Sequence, residues 1–311
     1  MKVIKVKRLL ITHIADPDGA GPIILSRFIF DDIDFISIDV DEVDKTLKDN
    51  LDNYDFIYVT DLNISDELAS LIDKSKYKDK IKIFDHHASN IHKNKYSFIT
   101  VIDEVDGYKE CGTTLYYKYL LDNYDNVYLH KDSLEHLVEL TRQGDTWNFN
   151  HLKEDALNLS ALYAIYGRDT YIDKYYNMIL ENDEFVFTEL DKQLLEIEKN
   201  NKKTYIENKM KGLIETKIDD YRVGIVFAEK YRSSLGHKIA ESYDIGIVIN
   251  LDHGVSYRAD SNNDIDVSLL AKKYGGGGHI KACGSSIPKN LKEKIISYIF
   301  DIEMEGSNDS N

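Results

Sequence analysis

The stretch Arg8-Leu9-Leu10-Ile11-Thr12-His13-Ile14-Ala15-Asp16-Pro17-Asp18-Gly19 decides the fold. Residues 8–14 form a compact apolar run that stops in an Asp/Gly cluster, and a helical pattern over 20–30 follows it. The alternation continues. Residues 35–40, 56–60 and 81–84 read as strands, with 66–75 helical between the last two. Strand-helix-strand alternation predicts an α/β fold whose mainly parallel sheet is covered on both faces. In such sheets ligands gather beyond the carboxyl ends of the strands. The unusual polar clusters of this half stand where strands end.

The chain has 311 residues, about two domains' worth, with 42% hydrophobic residues and 3 Pro, which argues for a sizeable buried core. Its 39 Lys+Arg against 55 Asp+Glu give a formal charge of −16. That balance argues against a duplex-DNA binder or a protein of anionic membranes, which show a basic footprint. The apolar run Leu9–Ile11 is too short for a secretory core, and no stretch approaches the roughly 18 apolar residues of a membrane span. A cytoplasmic protein is expected. The two cysteines, Cys111 and Cys283, imply neither a disulfide framework nor a zinc ribbon.

The pattern predicts an N-terminal domain over residues 1–182, with later helices at 113–124, 133–142 and 152–166. A charged segment, 183–215, reads as a linker helix. A smaller α/β domain over 216–304 opens with a strand at 222–228. A hairpin of 245–251 and 255–259 follows around Asp252-His253-Gly254, then helices at 266–274 and 289–302. Residues 305–311 read as a disordered tail.

Five clusters carry chemistry. His13, Asp16 and Asp18 lie within six residues, a mixed nitrogen and oxygen set suited to a divalent cation, although such Asp residues also cap helices. Asp61 ends an apolar run. In Asp85-His86-His87 two imidazoles follow a carboxylate, and both converge only if the chain has begun to turn there. Asp145, in Arg142-Gln143-Gly144-Asp145-Thr146-Trp147, is read as following a helix. Together these are five carboxylates and three imidazoles, more than one metal can use. Two metals about 3.5–4 Å apart, sharing one Asp, suit the set. Ligation without thiolate favours Mn²⁺, with Mg²⁺ or Co²⁺ as options. The fifth cluster, Gly275-Gly276-Gly277-Gly278-His279, offers backbone N–H groups as an anion nest, and Arg258 on a nearby strand is a candidate phosphate clamp.

His13…Asp16-Pro17-Asp18-Gly19, Asp61, Asp85-His86-His87 and Asp145 resemble the four motifs of the DHH phosphoesterases. The glycine run with His279 and Ala282-Cys283-Gly284 resembles the motif of the DHH-associated domain. The resemblance covers residues 7 to 302 and is most like oligoribonucleases of the nanoRNase B type. It implies that His13 and Asp16 hold one Mn²⁺, that Asp18, His86 and Asp145 hold a second, and that Asp61 bridges them. Asp85 would orient a histidine and His87 would touch the scissile phosphate. Arg258, Gly275 to Gly278 and His279 would grip the far end of the substrate across an interdomain cleft. Metal-activated water would then release nucleoside 5′-monophosphates.

The expected activity is hydrolysis of RNA of about two to five nucleotides, whose recognition needs only local positive charge, unlike long-chain binding. Cyclic nucleotides and linear dinucleotides are alternative substrates, and a RecJ-like single-strand DNA exonuclease is a further one. An inactive DHH scaffold predicts lost ligands, and none is lost. Short RNA or small nucleotides are the expected partners. A homodimer is left open.

Overall fold

A computed structural model describes residues 6–146 and 153–303. Trp147 and the tail at 305–311 lie outside them. The chain divides into two compact units, residues 1–196 and 197–311.

The first unit is built on β1 (Arg8–His13), β2 (Ile33–Ile38), β3 (Phe56–Thr60), β4 (Ile81–Asp85) and β5 (Ile99–Val101). These strands pair in parallel in the order β2-β1-β3-β4-β5. Alternate residues supply the two faces. Leu9, Ile11, Ile57, Val59, Ile81 and Ile83 pack on one side with α2 (Val43–Asn50) and α3 (Asp66–Asp73). Leu10, Tyr58 and Phe84 face the other side, where α1 (Pro17–Ile29) packs. Burial of each such side chain contributes about 1.5–3 kcal/mol, so a period-2 pattern with no polar face commits the sheet to two helical layers.

A short hairpin, β6 (Glu104–Val105) and β7 (Tyr108–Lys109), leads into α4 (Gly112–Asn123), α5 (Asp132–Thr146), α6 (Lys153–Tyr166) and α7 (Arg168–Glu181). These helices extend the layer of α1. The chain passes from β1 to β2 on one side and returns to β3 on the other. The carboxyl ends of β1, β3 and β4 therefore lie side by side at a topological switch point, where open α/β sheets form a crevice.

The division between the two units falls within α8 (Glu189–Met210). The second unit has a six-stranded sheet of β8 (Ile214–Ile218), β9 (Tyr221–Phe227), β10 (Ile245–Asn250), β11 (Gly254–Arg258), β12 (Gly277–His279) and β13 (Ala282–Ser285). Its order is β12-β13-β11-β10-β9-β8. The β9–β10 pair is parallel around α9 (Arg232–Ala240), and the hairpin read at Asp252-His253 joins β10 to β11. Helices α10 (Val267–Lys273) and α11 (Leu291–Phe300) complete it.

Three expectations change. The segment read as a linker helix over 183–215 is helical only over Glu189–Met210, and β8 opens the second unit ahead of the strand read at 222–228. Asp145 lies inside the last turn of α5 instead of after the helix, because α5 runs on through Gly144 to Thr146, whose hydroxyl bonds back to the Arg142 carbonyl. The glycine run is not an open nest. The N–H groups of Gly275 and Gly276 donate to the carbonyls of Lys272 and Ala271, closing α10, and Gly277–His279 pair with β13 as an edge strand. Four glycines end a helix and start a strand as readily as they cradle an anion. Among the described residues no helix is long and apolar enough to cross a membrane.

Candidate metal centre

Register puts the first three clusters level: Thr12 lies opposite Thr60 and Thr60 opposite Phe84, so His13, Asp61 and Asp85 follow one another across the sheet end. The Thr60 hydroxyl donates to Thr12 Oγ1, which donates to the Gly19 carbonyl and ties strand ends to the start of α1. A Cβ on Gly19 would come within 1.8 Å of the His13 carbonyl oxygen, so only glycine permits this turn.

Asp16 is both helix cap and candidate ligand, on different oxygens. Its Oδ1 accepts from the N–H groups of Asp18 and Gly19, at 3.0 and 3.2 Å, whereas Oδ2 lies 3.8 Å from His13 Nδ1. Asp18 is fully buried and receives the Gly112 and Thr113 N–H groups, both at 2.7 Å, at the positive N-terminus of α4.

Asp61 adopts φ 56, a left-handed conformation that Asp tolerates better than most residues, with its N–H bonded to the Phe84 carbonyl. A Cβ at Gly112 would press to 2.7 Å from the Asp61 Cβ, so α4 must begin on glycine there. The turn aims the Asp61 carboxylate between two imidazoles. Oδ2 lies 3.3 Å from His13 Nδ1 and Oδ1 3.2 Å from His86 Nε2. His86 Nε2 is also 3.4 Å from Asp145 Oδ2, a buried oxygen that accepts no hydrogen bond.

Ligand atoms of His13, Asp16 and Asp61 lie within 4.8 Å of one another, as do those of Asp18, His86 and Asp145 and those of Asp61, His86 and His87. The residues named from sequence in the first unit are thus brought together. The electrostatics fit cations. Burial and then the Asp18 charge push Asp145 up to about 8, while burial and then the Asp61 charge push Asp18 up to about 6. Burial opposes a charged His86, but the hydrogen bond to Asp61 and the charges of Asp18 and Asp145 outweigh it and raise its pKa to about 10. The hydrogen bond to Asp61 leads the rise at His13. Asp61 itself is lowered despite burial, by the two histidines. Like charges this close cannot all ionise unless protons or cations neutralise them.

His86 and His87 converge because the chain leaves β4 directly into a short 3₁₀ segment, Ala88–Lys95. Their rings are 4.5 Å apart. Asp85 does not join the ligand groups. Its fully buried carboxylate accepts from the His87 N–H and His87 Nδ1 at 3.1 and 2.7 Å, and from Asn63 and Asn90 at 2.8 Å each. Burial works against its charge, but the hydrogen bonds from His87 and Asn63 prevail and hold its pKa at about 2. Sequence reading did not find Asn63, Asn90 or the α4 N-terminus, nor Asp39, which stands just past β2 with Oδ1 3.9 Å from His13 Nε2. Asp39 escaped because the strand was read over residues 35–40, whereas β2 ends at Ile38.

In the second unit Arg258 is half-buried. It donates to the carbonyls of Tyr257 and Cys283 and weakly to Ser233, and burial lowers its pKa. His279 is exposed on β12.

Residues 226–304 match the DHHA1 domain family. Over 256 residues the chain is 30% identical to the oligoribonuclease NrnB of Bacillus subtilis strain 168, an alignment that takes in 80% of this chain and 63% of the relative. The chain thus spans under two thirds of that relative's length. Its fold resembles a pGpG-specific phosphodiesterase, PggH, of Vibrio cholerae, with TM-score 0.53 and 12% identity over 94% of this chain and 97% of the other. It also resembles an uncharacterized protein of Helicobacter pylori G27, with TM-score 0.50 and 20% identity over 95% and 99%.

Proposed function

We propose, from the premise that this is a DHH-family chain with a DHHA1 domain at residues 226–304, that the protein hydrolyses phosphodiester bonds in RNA of about two to five nucleotides with two divalent cations. The observation that carries the reading is the Asp61 carboxylate, whose two oxygens face the histidines of two separate ligand groups. The similarity to an oligoribonuclease supports the substrate class. His13 and Asp16 would hold one cation and Asp18, His86 and Asp145 the other, with Asp61 shared; Mn²⁺ suits this oxygen and imidazole set. Cations so held polarise a phosphoryl oxygen and supply hydroxide near neutral pH.

The chain's own residues do the rest. Asp85 keeps the Nδ1 proton of His87 occupied, so His87 Nε2 is left to meet a phosphate oxygen. The hydrogen bond to Asp85 raises the His87 pKa, which favours the charged, donating form. In the second unit Arg258, His279 and the Gly277-Gly278 edge are proposed to hold the nucleotide beyond the scissile bond, with Gly275 and Gly276 shaping that edge. Such local charge reconciles a nucleic-acid substrate with a net charge of −16.

The direct test is hydrolysis of 5′-labelled RNA from two to about two dozen nucleotides, with and without Mn²⁺, beside cyclic mononucleotides. Rates that peak at two to five nucleotides and vanish without metal are expected. Rates that hold level or rise with length would overturn the length assignment in favour of an exonuclease on long strands. Cleavage of cyclic substrates alone would replace RNA as the substrate.

Arg258→Ala is expected to raise KM for a dinucleotide about 10–100-fold, the value of a charge-assisted hydrogen bond, with the metal content unchanged. Arg258→Lys should recover only part, because lysine lacks the bidentate fork. A fall in bound Mn²⁺ with KM unmoved would make Arg258 structural.

A further inference from the structure

We propose that Asn90 and Lys93, with Asn63 opposite them, are positioning residues that act through Asp85 to hold the His87 Nδ1–H and its ring in one orientation. The proposal rests on the phosphodiesterase reading for its kinetic consequence and on geometry alone for its structural one.

Asp85 is where these residues meet. A carboxylate has about four lone-pair sites, and four donors occupy them. His87 uses its backbone N–H and Nδ1 on Oδ1, and the amides of Asn63 and Asn90 share Oδ2. The amide orientations are fixed from outside. Asn63 Oδ1 accepts from the Ile64 N–H at 3.0 Å, and Asn90 Oδ1 accepts from Lys93 Nζ at 2.9 Å. Flipping either amide would set a carbonyl oxygen against the carboxylate, and at Asn90 an NH₂ group against an ammonium.

Lys93 is unusual. It is only 6% exposed, and among the described residues its hydrogen-bond acceptors are neutral, the Ile64 carbonyl at 2.5 Å and Asn90 Oδ1. A buried ammonium on neutral acceptors is costly. Here the exposed Asp66 at the start of α3 supplies an opposite charge, and Asn90 links the ammonium to the Asp85 carboxylate. Three separate segments thus converge on one carboxylate: the turn after β3, the end of β4, and Ala88–Lys95.

The outlet of this network is His87. Its side chain is 55% exposed, and Nδ1 is the ring atom that Asp85 grips. Without Asn90 the Asp85 carboxylate loses half its hold on Oδ2, and the imidazole gains freedom to rotate. A packing role alone would not need a buried cation aimed at an amide whose other end faces a catalytic histidine's partner.

The experiment compares Asn90→Ala, Lys93→Met and Lys93→Arg with the wild type in the full chain. It measures kcat and KM on a dinucleotide with Mn²⁺, bound metal, and melting temperature. The His87 Nδ1–H proton signal is followed in metal-free protein with ¹⁵N-labelled histidine and assigned by its loss in His87→Gln. Asn90→Ala and Lys93→Met should lower kcat on the order of 10–100-fold, the usual effect of removing such outer partners. KM and metal content should be unchanged, because the Asn90 and Lys93 side chains hydrogen-bond to none of the candidate ligand residues, and the downfield Nδ1–H signal should be lost or shifted. Lys93→Arg should restore most of both. Unchanged kcat, or a loss of kcat that follows loss of metal while the proton signal persists, would overturn the proposal. If the wild type hydrolyses no phosphodiester, the functional reading fails, and the proton signal still decides. Its persistence in Asn90→Ala sinks the positioning role, and its loss supports it.

Discussion

Asp61→Asn is expected to cut phosphodiesterase turnover on the order of 1000-fold while leaving the protein folded. The estimate follows from losing several kcal/mol of charge stabilisation when a shared cation ligand becomes neutral, at 1.4 kcal/mol per factor of ten. Asn is the informative replacement because residue 61 sits at φ 56. Asn tolerates that left-handed conformation, whereas Ala would add backbone strain to the chemical loss. The metal-free fold should survive. Asp61 raises the pKa of Asp16, Asp18 and Asp145 by its charge, so neutralising it relieves repulsion among the remaining carboxylates. It also removes the partner of His13 and His86, and both should titrate lower in the variant. Turnover, bound Mn²⁺ by elemental analysis and thermal melting together make the test. Turnover within tenfold of wild type, with two Mn²⁺ still bound, would sink the bridging assignment.

The strands that build this site were legible because their chemistry is extreme. Residues 56–60 and 81–84 are short runs dominated by β-branched and aromatic residues, broken only by Lys82 and each followed by an Asp, and β3 and β4 lie over them. The parallel order that sets β1 between β2 and β3 could be inferred as a class, and it fixes why Asp61 and Asp85 stand beside His13. Asp145 was found as a ligand candidate but misplaced, since Gly144 reads locally as a helix stop. In the fold that glycine lets α6 approach instead: a Cβ there would lie 3.0 Å from Ser160 Oγ. Helix α7 was missed although its buried Tyr171, Ile172, Tyr175, Met178 and Ile179 fall on one helix face. The support around Asp85 was invisible in the sequence. Asn and Lys are abundant here, and nothing local marks Asn63, Asn90 or Lys93 apart from the many solvated ones. Their roles exist only once β3, β4 and the 3₁₀ segment are brought together. The glycine run shows the converse. Its composition suggested a loop, but pairing with β13 is a long-range property that a run of glycines does not encode.

The second large effect is on metal affinity. A cation at Asp18, His86 and Asp145 needs all three groups deprotonated. In the metal-free protein the Asp145 pKa is pushed up to about 8 and that of His86 to about 10, so both hold protons across pH 6 to 7.5, whereas Asp18, at about 6, is largely ionised above neutrality. The sign is therefore set: protons compete with the cation, and affinity rises with pH. Displacing two protons gives a slope of about 100-fold in Mn²⁺ affinity per pH unit in that window. Above pH 8, with Asp145 ionised, His86 alone still releases a proton and the slope falls to about tenfold. Had these groups ordinary pKa values, Asp145 would be ionised throughout and the slope above pH 7 would be nearly flat. Calorimetric titration of metal-free protein with Mn²⁺ at pH 6.5 and 7.5, in two buffers of different ionisation enthalpy, counts the protons directly. About two should be released per cation at this group, and Asp145→Asn should bring the count to about one. Release of none, with equal affinity at both pH values, would mean that the Asp18, His86 and Asp145 group does not take the cation.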